Sequence, residues 1–272
     1  MSIVYACAVS HAPGIRAWTE SAPKEQVDVL FGAYDEARRE LEAAAPDTIV
    51  LLTSEHWANF FLDHIGAFCI GRGETFDGPI EPWLRVETAQ VKGDPQLAEC
   101  ILDHCYANGF EPSYAHEMKL DHGSMVPLSF LLPNMDRRIV PIMFNTLAKP
   151  RPSAARCLAL GQTLRPVLEA AEQRIAVVAT GGLSHDPGEI NHGVIDSEFD
   201  ARFLDDMAGA KLERLAGYSD SDLLNAGAGT LELLAWICLA GVMGERRARV
   251  IAYQAVKPWA TGMGVLAYDR AA

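Results

Sequence analysis

Five side chains able to bind a metal or move a proton stand beside apolar runs of the 272-residue chain. His11 ends MSIVYACAVSH, His56 ends TIVLLTSEH, and His185 ends IAVVATGGLSH. His122 lies in KLDHGSMVPLSFL, and Glu232 is the acid within GTLELLAWICLAGVM. A neutral imidazole ligates metals through a ring nitrogen and exchanges protons near neutral pH. A carboxylate inside an apolar run needs a cation or hydrogen-bond donors, because burial otherwise neutralises it. For Glu232 a bound metal would supply that cation; the positive end of its own helix is the plainer alternative, and the helix alone leaves both open. Two His and one carboxylate, with other coordination positions free, form the ligand set of non-haem ferrous oxygenases. The long separations along the chain distinguish this set from a zinc-protease helix, whose two His lie one turn apart.

These groups need a scaffold that collects distant segments. Residues 3–9, 48–52, 139–143, 175–179 and 250–255 read as strands, and 23–44, 95–108, 153–171 and 230–243 as helices. Gly109 is placed to cap the second helix, Pro166 predicts a kink or early end in the third, and a further helix begins around Ser124 or Pro127. Residues 71–93, rich in Gly and Pro at their start, read as an elaborated loop. The alternation predicts an α/β fold: a central mixed sheet flanked by helices, in a single large domain over residues 1–272. In such sheets ligands collect at the carboxyl ends of the strands. Three of the His directly follow predicted strands, so one rim would gather them.

Composition narrows the partners. A hydrophobic fraction of 49% and a charged fraction of 22% predict an ordinary globular chain. No apolar run is long enough to span a bilayer and the first residues lack a basic leader, which makes the cytoplasm the expected compartment. A formal charge of -13 argues against a broad surface for nucleic acid or anionic lipid. The six cysteines form no CxxC pair, as expected of reduced, mostly buried thiols.

The segments SHAPG, SEHWANFF, KLDHGSMVPLSFLL, TGGLSHDPG and GTLELLAWI follow one another in an order that resembles the class III extradiol ring-cleaving dioxygenases, the superfamily of protocatechuate 4,5-dioxygenase β-subunits. The likeness extends through GRGETF, VKGDPQLAE and RPSAARCLALGQTLR. It implies that His11, His56 and Glu232 ligate Fe(II), that His185 is the general base, and that His122 is a second active-site His near substrate and oxygen. The implied reaction opens a small aromatic diol (protocatechuate, gallate or a methylgallate) or an aminophenol with both atoms of O2 to give a semialdehyde. Mn(II) accepts the same ligands.

Two features bear on the substrate and the assembly. In YQAVKPWATGMG, Lys257 would pair with a carboxylate or Trp259 would wall off an apolar ring; Arg16 is a further anion partner. His64, His104 and His116 fall on no motif and read as surface or structural, while His192 would at most line the mouth of the site. Relatives that carry a covering helical domain or subunit imply that this chain assembles with itself or with a small, separately encoded α-subunit. Two rivals stand beside this reading: a metal-binding relative acting as a hydrolase, and a non-catalytic subunit or binding protein.

Overall fold

Strands rich in Val, Ile, Leu and Ala, apolar on both faces, belong in the middle of a covered sheet. The computed structural model, which describes residues 2–188 and 192–269, places them there. Its strands are β1 (Ile3–Val9), β2 (Thr48–Ser54), β3 (Phe68–Gly71), β4 (Thr75–Gly78), β5 (Ala89–Lys92), β6 (Ser113–Ala115), β7 (Arg138–Phe144), β8 (Ile175–Thr180), β9 (Ala248–Val256) and β10 (Thr261–Tyr268). Among the described residues, eight of these form one sheet in the order β6-β3-β7-β2-β8-β1-β10-β9. The centre, β7-β2-β8-β1, is parallel, with Val50 opposite Val177 and Cys7 opposite Val178. Antiparallel pairing of β10 with β1 and of β3 with β7 makes the sheet mixed.

The helices are α1 (Gly14–Ala17), α2 (Lys24–Ala44), α3 (Pro95–Ala107), α4 (His122–Leu131), α5 (Ala154–Ala170), α6 (Ser197–Ala208), α7 (Leu212–Gly217), α8 (Asp220–Asn225) and α9 (Leu233–Met243). Side chains alternate across each strand, so Val50 and Leu52 join a core with α5, α6 and α9, whereas Ile49 and Leu51 join one with α2 and α4. Helices α5 and α9 meet at Gly161 and Gly241; a Cβ on Gly161 would stand 2.0 Å from the Cys238 carbonyl oxygen. No helix among the described residues is long and apolar enough to cross a membrane.

Three expectations change. Helix α5 runs through Pro166 to Ala170, because Leu160, Leu164 and Leu168 keep one buried stripe in register across it. Residues 71–93 hold the two-stranded β4-β5 sheet within their loops. The last apolar helix begins at Leu233, preceded by a tighter 3-10 turn, Ala228–Glu232, which sets Glu232 at its threshold. Unanticipated elements are β3, β6, β10 and the run α6 to α8, which are short or lack a clean apolar period.

The parallel centre has a direct consequence for chemistry. Strands β1, β2 and β8 end on the same edge, and His11, His56 and His185 follow those ends.

Candidate active site

Each of four imidazoles is anchored through Nδ1. His11 Nδ1 lies 3.1 Å from Thr180 Oγ1, and that hydroxyl donates to Thr53 Oγ1 at 2.9 Å. With its proton committed to Thr53, Thr180 accepts from His11, so Nδ1 carries the hydrogen and the neutral ring keeps its lone pair on Nε2. His56 Nδ1 donates to Asp121 Oδ2 at 2.9 Å, His122 Nδ1 to Glu81 Oε1 at 2.7 Å, and His185 Nδ1 to the Leu183 carbonyl at 2.7 Å. Nε2 is therefore the nitrogen that each of the four leaves for the site. Ring centroids of His11 and His56 are 5.0 Å apart, and those of His56 and His122 are 4.2 Å apart.

Glu232 enters this group from the threshold of α9. Its side chain makes no capping hydrogen bond there, so the helix end is not its partner. Oε2 instead lies 3.0 Å from His11 Nε2 and accepts the Gly182 amide at 2.5 Å, while Oε1 lies 3.1 Å from His56 Nε2 and 3.5 Å from His185 Nε2. Burial would raise the Glu232 carboxyl, but His11 and His185 hold it well below the usual range. Burial likewise lowers His56, yet the Asp121 and Glu232 carboxylates outweigh it and hold the ring well above its ordinary value. His185 is raised against burial by Glu232, whereas in His11 burial prevails and lowers it. A buried anion facing several imidazole nitrogens can be balanced by protons on the rings or by one cation among them.

Two donor sets contain His11 and His56. One is completed by Glu232 at the distances above; the other by His122, whose ring nitrogen lies within 4.8 Å of those of His11 and His56. Both have the chemistry of a divalent-metal site, with nitrogen donors oriented by hydrogen bonds on their far sides. Only the set with Glu232 also neutralises charge.

The space in front is a cavity of about 400 Å³, bounded by these residues together with Trp18, Pro187, Pro258, Trp259 and Thr261. Close packing holds the rings: a Cβ on Gly123 would meet His56 Cε1 at 2.8 Å, and one on Gly229 would meet His185 Nε2 at 2.1 Å. Of the two residues singled out for the substrate, Trp259 is a wall of the cavity, but Lys257 is exposed and does not line it. Arg16 donates instead to Ser129 Oγ and the Ser129 carbonyl and stacks 3.5 Å from the Phe130 ring centroid. His192 reaches the lining, whereas His64, His104 and His116 do not.

Residues not anticipated from sequence include Asp121 and Glu81, which orient His56 and His122, and Asp200, which braces the loop before His185. Asp121 lies inside the KLDHG motif and is the one with a local signal. Glu81 and Asp200 meet their partners only through the tertiary fold.

A family model described as the catalytic LigB subunit of aromatic ring-opening dioxygenase matches residues 5–264. The chain is 24% identical to a 2,3-dihydroxyphenylpropionate/2,3-dihydroxicinnamic acid 1,2-dioxygenase of a Rhodococcus species, covering 95% of this chain and 96% of that protein. It is 32% identical over 171 residues to a Klebsiella pneumoniae protein of the same name, in a match that spans 61% of this chain and about half, 52%, of the relative. The crystal structure of uncharacterized protein JW3007 from Escherichia coli K12 superposes with a TM-score of 0.62 at 15% identity, covering 98% of this chain and 100% of that one, and shares the fold. The match across nearly the whole chain, on a sheet whose edge gathers the motif residues, places the protein in the family of catalytic LigB subunits of aromatic ring-opening dioxygenases, and so among the extradiol ring-cleaving enzymes.

Proposed function

We propose that this chain is a non-haem Fe(II)-dependent extradiol dioxygenase that opens a catechol-type ring with O2, acting as one catalytic domain over residues 1–272 in the cytoplasm, assembled with itself or with a small α-subunit. The observation that carries this reading is the convergence of His11, His56, His122, His185 and Glu232 on one cavity, with every imidazole anchored through Nδ1. His11, His56 and Glu232 would hold the metal: two neutral nitrogens and one buried carboxylate leave coordination positions free. Once bound, ferrous ion supplies a path for electron density between a chelated diol and O2, two reactants that otherwise combine slowly.

The remaining groups handle protons. A catechol hydroxyl, like that of tyrosine, ionises near pH ~10, so a base must take its proton at neutral pH. His185 lines the cavity and would accept it on Nε2; the Leu183 carbonyl on Nδ1 keeps the ring in the tautomer that can. His122, turned by Glu81, leaves its Nε2 to take up a proton and return it at a later step. The Trp18 and Trp259 indoles and the three lining prolines, Pro13, Pro187 and Pro258, shape the space for a flat ring.

The names of the relatives make 2,3-dihydroxyphenylpropionate the first catechol to try, beside protocatechuate and gallate. Protein loaded anaerobically with Fe(II) is given each compound and then air, with O2 uptake and the yellow absorbance of ring-opened product recorded together. Stoichiometric uptake with a new chromophore is expected. Bound iron without uptake for any catechol or aminophenol would overturn the reading.

A further inference from the structure

The walls of the cavity bear on which catechol fits, given the proposed function in which a catechol occupies it. Among its described lining residues there is no lysine or arginine. The largest lining side chains outside the His group and Glu232 are two indoles, Trp18 and Trp259, beside three prolines, Pro13, Pro187 and Pro258. They are braced in place. The Trp259 indole packs so closely on Gly14 that a Cβ there would lie 2.4 Å from Cδ1, and its Nε1 donates to the Trp18 carbonyl at 3.1 Å. Trp18 in turn stacks on Trp83, centroids 5.4 Å apart and planes within 13°.

Of the two cations that the sequence offered, one is engaged and the other lies outside the lining. Arg16 is held by Ser129 and Phe130, and Lys257 is exposed, outside the lining. His192, also on the lining, accepts the Gly188 amide on Nδ1 at 3.2 Å. Around the His group stand three carboxylates, Glu81, Asp121 and Glu232, in a chain of net charge -13. A ligand bringing a further carboxylate, beyond the diol that meets the metal, would bury it against indole with no lysine or arginine on the described lining, which costs far more than burying an alkyl group of the same size.

We infer that this cavity selects a catechol whose ring substituent is uncharged and apolar, and discriminates against carboxylated catechols. Trp18 and Trp259 are the specificity-determining walls; the substituent lies between them while the diol faces the His group.

The test uses two ligands of equal chain length, 3-propylcatechol and 3-(2,3-dihydroxyphenyl)propionate. Protein loaded with Fe(II) is titrated with each without oxygen, following the quenching of tryptophan fluorescence. The expected result is at least tenfold tighter binding of 3-propylcatechol, about 1.4 kcal/mol. Replacing Pro258 by Arg should narrow or reverse that ratio by adding the missing cation. Equal or tighter binding of the propionate to the unaltered protein overturns the inference, as does binding of neither ligand. Air separates the two readings. Preferential binding of 3-propylcatechol with no O2 uptake for any catechol supports the inference and overturns the dioxygenase reading. Turnover of the propionate at a kcat/KM equal to that of 3-propylcatechol overturns the inference and leaves the dioxygenase reading standing.

Discussion

Nδ1 of His56 donates to Oδ2 of Asp121 at 2.9 Å, and Asp121 has no solvent exposure. The carboxylate both orients the ring and raises the basicity of the Nε2 that faces Glu232. Asp121→Asn keeps an acceptor oxygen but removes the charge. Affinity for Fe(II), read by competition with a chelator, should fall about 10–100-fold. Unchanged affinity would remove His56 from the proposed ligand set.

The proposed division of labour separates metal binding from proton transfer. His56→Ala and Glu232→Ala should each abolish stoichiometric iron, measured by elemental analysis after desalting. His185→Phe should retain iron and lose about 10²–10⁴-fold in turnover, the usual contribution of a general base. Retention of both metal and activity in all three would overturn the assignment.

Gly229 tests the position of the same base without deleting it. A Cβ there would sit 2.1 Å from His185 Nε2 and 2.4 Å from Cδ2 and Cε1, so Gly229→Ala must displace the ring. Activity should drop toward that of His185→Phe while iron stays bound. The crowding should cost about 1–3 kcal/mol of stability, visible in a denaturant titration.

Asp200 supplies a pH dependence away from the proposed ligands. Its buried carboxylate accepts from the Ser184 amide at 2.7 Å, the Ser184 hydroxyl at 2.8 Å and the Tyr253 hydroxyl at 2.7 Å. Burial raises its pKa, and these bonds only partly offset the shift. The folded state therefore holds this proton to higher pH than the unfolded chain does. The associated stability is complete below the ordinary carboxylate range and is lost as pH rises through the raised value. Relative to Asp200→Asn, the unaltered protein should lose melting temperature as pH climbs upward from about 4. A parallel pair of Tm curves over that range would contradict the shift.

Legibility in the sequence followed the range of the interaction. Strand β1 was readable to the residue, and β2, β7 and β8 to within two residues at either end, because an apolar run bounded by polar residues is a local signal. Helix α5 was readable too, but its course through Pro166 was not, since packing against α9 offsets the broken hydrogen bond. The short strands β3 and β6 take their form from pairing with each other and with β7, which no local window contains.

The site divides in the same way. Sequence alone singled out the side chains proposed to carry the chemistry, since His11, His56 and His185 are recognisable by their place after strands and the full set by its motifs. Only the tertiary structure decided how they are held and what they face. Thr180 reaches His11 from 169 positions away, Asp121 reaches His56 from 65, and Glu81 reaches His122 from 41. It also settled that Glu232 ignores its helix end for three imidazoles, and that Trp259, not Lys257, walls the cavity. A residue's chemistry is local to it, but the direction of a lone pair and the charge of its surroundings are set by whatever the fold packs beside it.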